Sequence, residues 1–413
     1  MSDIRPFRAL RPPRELAEKV AAPPYDVLNT EEARAMAVGN GVSYLHVNKP
    51  EIDFPPDFDP YDAAVYAKGS ENLRAFVSRR ILVRDPQDGF YLYKQRMGSH
   101  EQTGLVAGAS VGEYERDLIK KHEFTRPDKE DDRTRHIDEM DANDEPVFLT
   151  YHADPAIDRH VAMIQARPPV YDFVTTDGIG HTLWVVSDPG EVETIRGSFA
   201  RVPALYVADG HHRSAAAARV CRRRREADPA HTGREAYNHF LAVVFPHDQM
   251  KIMPYNRVVK DLHGLDEEAF LARVRETFEC LPADRPEPDR SASYGMFLGG
   301  TWYRLQAKEA IIPAGDPVRS LDIAVLQNNL LGPVLGIEDP RRDKRIDFVG
   351  GIRGTAELER RVLHDGWAAA FALHPVTMEQ LMKVADAGQV MPPKSTWFEP
   401  KLRSGLFVRP LSD

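Results

Sequence analysis

The residues best equipped for chemistry stand together at Asp209-Gly210-His211-His212-Arg213. They follow an apolar run, 204–208, that reads as a short buried strand. They precede 214–226, whose alanines and arginines favour helix. The cluster therefore occupies a strand-to-helix turn. The first N–H groups of a helix have no acceptor inside it and point at whatever lies before them. Gly210 lets a ligand come close to the backbone, Arg213 adds a forked cation, and the two imidazoles add donors. Such a set suits a phosphate or a carboxylate. Two other readings stand beside this one. Asp209 could simply cap the helix while Gly210 makes the turn. A metal is the third, but adjacent histidines seldom converge on one ion, and no Cys-x-x-Cys or His-Glu-x-x-His lies nearby.

A second stretch with chemical potential is Lys120-Lys121-His122-Glu123-Phe124-Thr125-Arg126, which sets a base beside several cations. It opens the most charged part of the chain, 118–144, where no apolar period survives. That density predicts either a helix held by exposed ion pairs, worth a few tenths of a kcal/mol each, or a charged loop and helix facing a polyanionic substrate. In both cases the segment is expected to be more mobile than the strands around it. Ala22-Pro23-Pro24-Tyr25-Asp26-Val27 is a rigid turn able to present Tyr25 and Asp26. Farther on, Gly350-Gly351-Ile352-Arg353-Gly354 is another strand–turn–helix with a cation. It lacks the Gly-Lys-Ser/Thr of a phosphate loop and the full dinucleotide fingerprint. Lys394-Ser395-Thr396 either joins such a site or is ordinary surface.

These groups need elements to position them. Residues 1–60 are proline-rich and predict an extended, wrapping segment. Strands are expected at 44–47, 89–96, 103–111, 147–151, 181–186, 240–245 and 345–349, with a hairpin at 294–305 turned by Gly299-Gly300. Helices are expected at 61–79, 190–199, 267–280, from Ser320 to Leu331, and after the Thr377 capping box. The prolines and charges of 282–291 read as a linker between a domain at 1–281 and a smaller one at 292–413.

The chain has 413 residues, 42% hydrophobic and 28% charged, which suits a soluble globular protein with ample core. A net charge of -9 argues against a general nucleic-acid binder. No window is apolar enough to span a bilayer, and the first residues lack the apolar core of a signal peptide. A cytoplasmic protein without membrane or nucleic-acid partners is the expectation. The only cysteines, Cys221 and Cys280, are expected to stay reduced and unpaired. Cys221 lies among arginines, which would favour a reactive thiolate.

Several motifs together carry a resemblance. They are Arg5-Pro6-Phe7-Arg8-Ala9-Leu10, Ala22 to Val27, His122-Glu123-Phe124-Thr125, Ala208 to Arg213, Pro254-Tyr255-Asn256-Arg257, Asp347-Phe348-Val349-Gly350-Gly351 and Met391-Pro392-Pro393-Lys394-Ser395-Thr396. On these the chain is identified as a member of the bacterial and archaeal domain-of-unknown-function 1015 family. Its Asp-Gly-His-His-Arg turn is also similar to a motif of the ParB/sulfiredoxin superfamily, and to its free-serine kinase branch. The resemblance implies a mixed α/β (α+β) fold, with a ParB/sulfiredoxin-like nucleotide-binding core and a second, smaller α/β domain. It implies an ATP- or ADP-dependent kinase, with Mg2+, acting on the hydroxyl of free L-serine or a similar small molecule. Gly210, His211 and His212 would cradle phosphates, Arg213 would neutralise charge, and Asp209 would cap the turn or hold Mg2+. Glu123 is the candidate base by motif order, and Arg126, Lys129 and Arg133 would add cations. Replacing Arg213 by alanine is expected to weaken nucleotide binding with the fold intact. The rival from another class is a nucleotide-binding switch, like the ParB branch that binds CTP, with no small-molecule phosphorylation.

Overall fold

Described over residues 2–412 in a computed structural model, the chain divides into two compact units. One comprises Met1–Met250 with Pro400–Asp413, the other Lys251–Glu399. The 282–291 stretch is therefore not the boundary. It lies inside the second unit, between strand Phe278–Pro282 and strand Ser293–Leu298 of the same sheet. Proline density marks a connection there, and the sheet's hydrogen bonds to Thr301–Ala307 span it from both sides.

The first unit is built on a nine-stranded sheet. Its order runs Ile119–Lys120, Leu205–Asp209, Val147–Tyr151, His239–Pro246, His100–Ser110, Phe90–Met97, Gly180–Val186, Tyr171–Val174, with Ile4–Arg5 added against His100–Ser110. Val147–Tyr151 and His239–Pro246 are buried at every position, as their largely apolar character, broken only by Thr150 and His239, suits strands covered on both faces. Most neighbours are antiparallel. The parallel pairs are Leu205–Asp209 with Ile119–Lys120, and His239–Pro246 with Val147–Tyr151. The sheet packs a continuous core that includes Phe90, Leu92, Leu149, Val207 and Val244. The class is mixed α/β.

The charged segment resolves into helix Pro127–Met140, opened by a proline at its first position. It packs on helix His211–Ala227 and buries Asp132, Arg133, Thr134, His136, Ile137 and Met140. It is thus neither a loop nor an exposed helix. Its missing apolar stripe is replaced by charges that find partners inside, so periodicity could not reveal the buried face. Residues 45–48 are a helical turn rather than a strand. A short apolar run carries no period that distinguishes the two. The helix expected from Ser320 starts at Asp322, because the Ser320 hydroxyl bonds back to the Asp316 carbonyl instead of capping.

The final residues return to the first unit. Arg409–Pro410 pairs with Ala142–Asn143, and Ala22 bridges to Ser404. Gly405 makes this passage possible: its φ is +85°, and a Cβ there would sit 2.6 Å from the Tyr44 ring.

The second unit holds a six-stranded antiparallel sheet. Its Gly350 turn leads through Gly351–Arg353 into helix Gly354–His364, with Arg353 exposed beside Glu357. Arg257 is buried, and its guanidinium donates to the carbonyls of Tyr255, Pro393 and Lys394. It thereby fixes the Lys394 segment, whose φ is +57°. Among the described residues no helix is long and apolar enough to cross a membrane. Cys221 and Cys280 are free and buried. Burial pushes the Cys221 thiol up despite Arg225, the opposite direction to the one expected from its arginine neighbours.

Candidate functional site

Two parallel strands deliver the site. In Ile119–Lys120 and Leu205–Asp209, Leu205 lies opposite Ile119 and Tyr206 opposite Lys120. Both chains leave the sheet at the same edge, His122-Glu123 from one and Gly210-His211 from the other. A bulge between Val207 and Asp209 shifts the register against Val147–Tyr151 just before the turn. Bulges at such positions re-aim the side chains that follow.

Gly210 is the N-cap of the 17-residue helix His211–Ala227, with φ +96° and no side-chain cap. Only glycine adopts that conformation without strain, and a Cβ would stand 3.1 Å from the Arg213 Nε. The side chain of Asp209 does not cap the helix. It is held by Lys401 of the returning C-terminal segment, whose Nζ lies 2.8 Å from Oδ2. Burial works against ionised Asp209, but the charges of Lys401 and Arg213 outweigh it and hold the carboxyl far below its ordinary range.

Arg213 is buried and already engaged. It donates to the Pro146 carbonyl at 2.6 Å, and its Nη2 lies 3.8 Å from both Asp26 and Asp209. Burial opposes its charge, and Asp26 and Asp209 keep it ionised. The histidines differ from the expected donors. Burial lowers the pKa of His211, with His122 adding to the effect, and burial also lowers that of His212. The His212 Nε2 accepts a hydrogen bond from the Arg126 backbone N–H, so that atom is no donor to a ligand. Cationic charge at the turn therefore comes from Arg213 and Lys401.

Glu123 lies beside the turn, its carboxylate 3.8 Å from His211 Nδ1 and 46% exposed. That exposure decides its standing: it can meet a ligand, as the buried Asp144 and Glu145 cannot. His122, one residue earlier, is only 1% exposed and stacks edge-on against His211, centroids 4.5 Å apart. Burial lowers it to about 4, with the Val207 backbone pulling the other way.

Behind the turn lies a buried charged network. Arg133 pairs with Asp132 and Glu145 and stacks over the Tyr25 ring, while His136 bonds Asp144. Burial and Asp144 raise the Glu145 carboxyl, whereas His136 and Arg133 overcome burial to lower Asp144. The Ala22 to Val27 turn is tied in through Tyr25 N–H donating to Glu145. A cavity of about 10 Å³ within the network, lined in part by Arg133, Glu145 and Arg213, has room for one water.

The proposed site residues thus separate into groups. Glu123, Asp209, Gly210, His211 and Arg213 converge at the turn, and His212 touches it through Arg126. Arg133 sits in the buried network behind. Arg126 and Lys129 lie on the outside, the first paired with Asp128 and the second bonded to the Tyr61 hydroxyl. Sequence reasoning missed His122 and Lys401 as members. His122 was legible only as part of a charged run, and Lys401 arrives from 192 residues away in sequence.

The sequence profile described as "Protein of unknown function (DUF1015)" matches residues 4–324. The chain belongs to this family. No curated protein matches it in sequence. Among solved structures, a conserved hypothetical protein from Pyrococcus furiosus is 13% identical, with 71% of this chain and 92% of that one covered and a TM-score of 0.34. A free serine kinase variant in complex with ADP is 13% identical, covering 70% and 89%, TM-score 0.35. C-terminally truncated SbnI from Staphylococcus aureus is 13% identical, covering 74% and 87%, TM-score 0.37.

Proposed function

We propose that this family member transfers a phosphoryl group from ATP or ADP to the hydroxyl of a small molecule, with free L-serine the preferred acceptor. The observation that carries the reading is the uncapped start of helix His211–Ala227, set beside a half-exposed carboxylate. Phosphoryl transfer needs positioning, charge neutralisation and an oriented nucleophile. The helix start offers N–H groups and the positive end of the dipole to the phosphates. Lys401 and Arg213 supply fixed positive charge just behind it. Glu123 is placed to take the acceptor's proton.

A nucleotide of this kind travels with Mg2+, which takes oxygen ligands from one or two carboxylates plus phosphate. Asp26 and Asp209 bring such oxygen ligands together and would hold it, the ion taking over part of their contact with Arg213. The ion would neutralise phosphate charge. The buried histidines would keep the pocket dry without adding a competing cation.

The test is phosphorus NMR of the full chain with Mg2+, ATP or ADP, and a panel of amino acids. A phosphomonoester should appear with serine. Glu123→Gln should still bind nucleotide while turnover falls by about two to four powers of ten. Nucleotide binding with no product from any acceptor would favour the switch reading. Normal turnover by Glu123→Gln would place the base elsewhere.

A further inference from the structure

Two buried imidazoles at the turn are left without hydrogen-bond partners. Apart from the Val207 backbone beside His122, neither ring nitrogen of His122 has one, nor does Nε2 of His211, and these residues are 1% and 4% exposed. A buried polar atom left unpaired costs about 1–3 kcal/mol, so a folded chain seldom keeps several side by side without a ligand for them. The third group facing them is a carboxylate. His122, Glu123 and His211 each offer a ligand atom, and the three atoms lie within 4.8 Å of one another.

We propose that His122, His211 and Glu123 form a binding site for a divalent cation of the zinc class, with a fourth position open. Two imidazoles and one carboxylate suit Zn2+ or Co2+; Mg2+ prefers oxygen alone. Three protein ligands with one open position are the arrangement of zinc sites that bind water or substrate. A tetrahedral ion with ligands at about 2.1 Å holds them roughly 3.4 Å apart. The three atoms must therefore draw in by about 1.4 Å at most. Rotation of the Glu123 side chain, 3.8 Å from His211 Nδ1 and 46% exposed, closes its share of that distance. The site also explains why adjacency in sequence misleads here. The converging pair is His122 with His211, each just past the end of one of two neighbouring strands, and not His211 with His212.

The site stands independently of the kinase reading. What its open position takes rests on that reading: an acceptor hydroxyl bound there would be more acidic than in water. Glu123 would then serve as a ligand rather than as the base.

The experiment uses the full-length chain, stripped with a chelator and titrated with Co2+ alone, no nucleotide present. One equivalent should bind and give the intense visible absorption of a four-coordinate site, and Zn2+ should displace it. Loss of an outer-shell partner already weakens metal sites about 10–100-fold. Loss of a ligand in His122→Gln or Glu123→Gln should weaken Co2+ binding at least that much, while His212→Gln binds as the parent does. Glu123→Gln alters an exposed side chain, so its result stands even if a histidine variant fails to fold. Absence of a one-equivalent Co2+ band would overturn the proposal, as would unchanged binding by Glu123→Gln. A chain that binds Co2+ in this way yet phosphorylates nothing would refute the kinase reading alone.

Discussion

Lys401→Met tests whether the C-terminal return holds the site's acid in place. The Nζ–Oδ2 separation of 2.8 Å corresponds to a gross attraction of roughly 6 kcal/mol at an effective dielectric of about 20. Most of that is cancelled by the desolvation of both ions. Fully buried pairs lose about 3–5 kcal/mol when one partner is removed, and exposed pairs about 0–1. With side chains 18% and 27% exposed, the pair lies between these limits, and about 2 kcal/mol is expected at pH 7. The pH dependence has a definite sign. Lys401 and Arg213 overcome burial to depress Asp209, so its contribution is present above the unfolded value of 3.8 and is lost as pH falls through the lower, folded one. The gap between parent and Lys401→Met should therefore narrow below about pH 4. Hydrogen exchange of peptides covering 205–227, followed through urea, reads the first unit without interference from the second. Asp209→Asn alone and in the Lys401→Met background completes the cycle, with a coupling of at least about 1 kcal/mol expected. Additive effects, or a Lys401→Met chain as stable as the parent at pH 7, would refute the pairing.

Three further outcomes follow from the same geometry. Arg213→Ala should destabilise the first unit by about 1–3 kcal/mol, because it leaves the Pro146 carbonyl unpaired and removes the cation facing Asp26 and Asp209, of which Asp209 keeps Lys401; a fold of unchanged stability, as the sequence suggests, would count against that account. In the second unit, burial outweighs the Ala292 N–H and pushes Asp322 up to about 6 from 3.8. Its contribution is thus full below 3.8 and is lost as pH rises through about 6, a change of roughly 3 kcal/mol. Asp322→Asn should abolish that slope in denaturant unfolding, and an unaltered slope would exclude Asp322 as its source. Thiol titration should find both cysteines in the denatured, unreduced chain and little reaction in the native one, since burial covers and raises Cys221 and Cys280; a disulfide or rapid native labelling would contradict this.

Some of this protein could be read along the chain because the physics involved is local. The strand Leu205–Asp209, one residue along from the apolar run at 204–208, and the helix after it follow from apolar run and propensity, and Gly210 follows from the backbone its turn requires. The Gly299-Gly300 hairpin and the Thr377 capping box are equally local, each set by a few adjacent residues. The convergence of Glu123 with the Asp209 turn was legible only through motif resemblance. Its cause is the two-residue strand Ile119–Lys120, too short to leave a periodic signal, pairing in parallel with Leu205–Asp209. The buried face of Pro127–Met140 was hidden for a related reason: its charges are satisfied by one another across space, so its sequence resembles a solvated surface. Lys401 and the His122–His211 contact were decided by tertiary structure alone. Electrostatic and ring contacts depend on distance in space, and no local pattern records which distant segment the chain brings back.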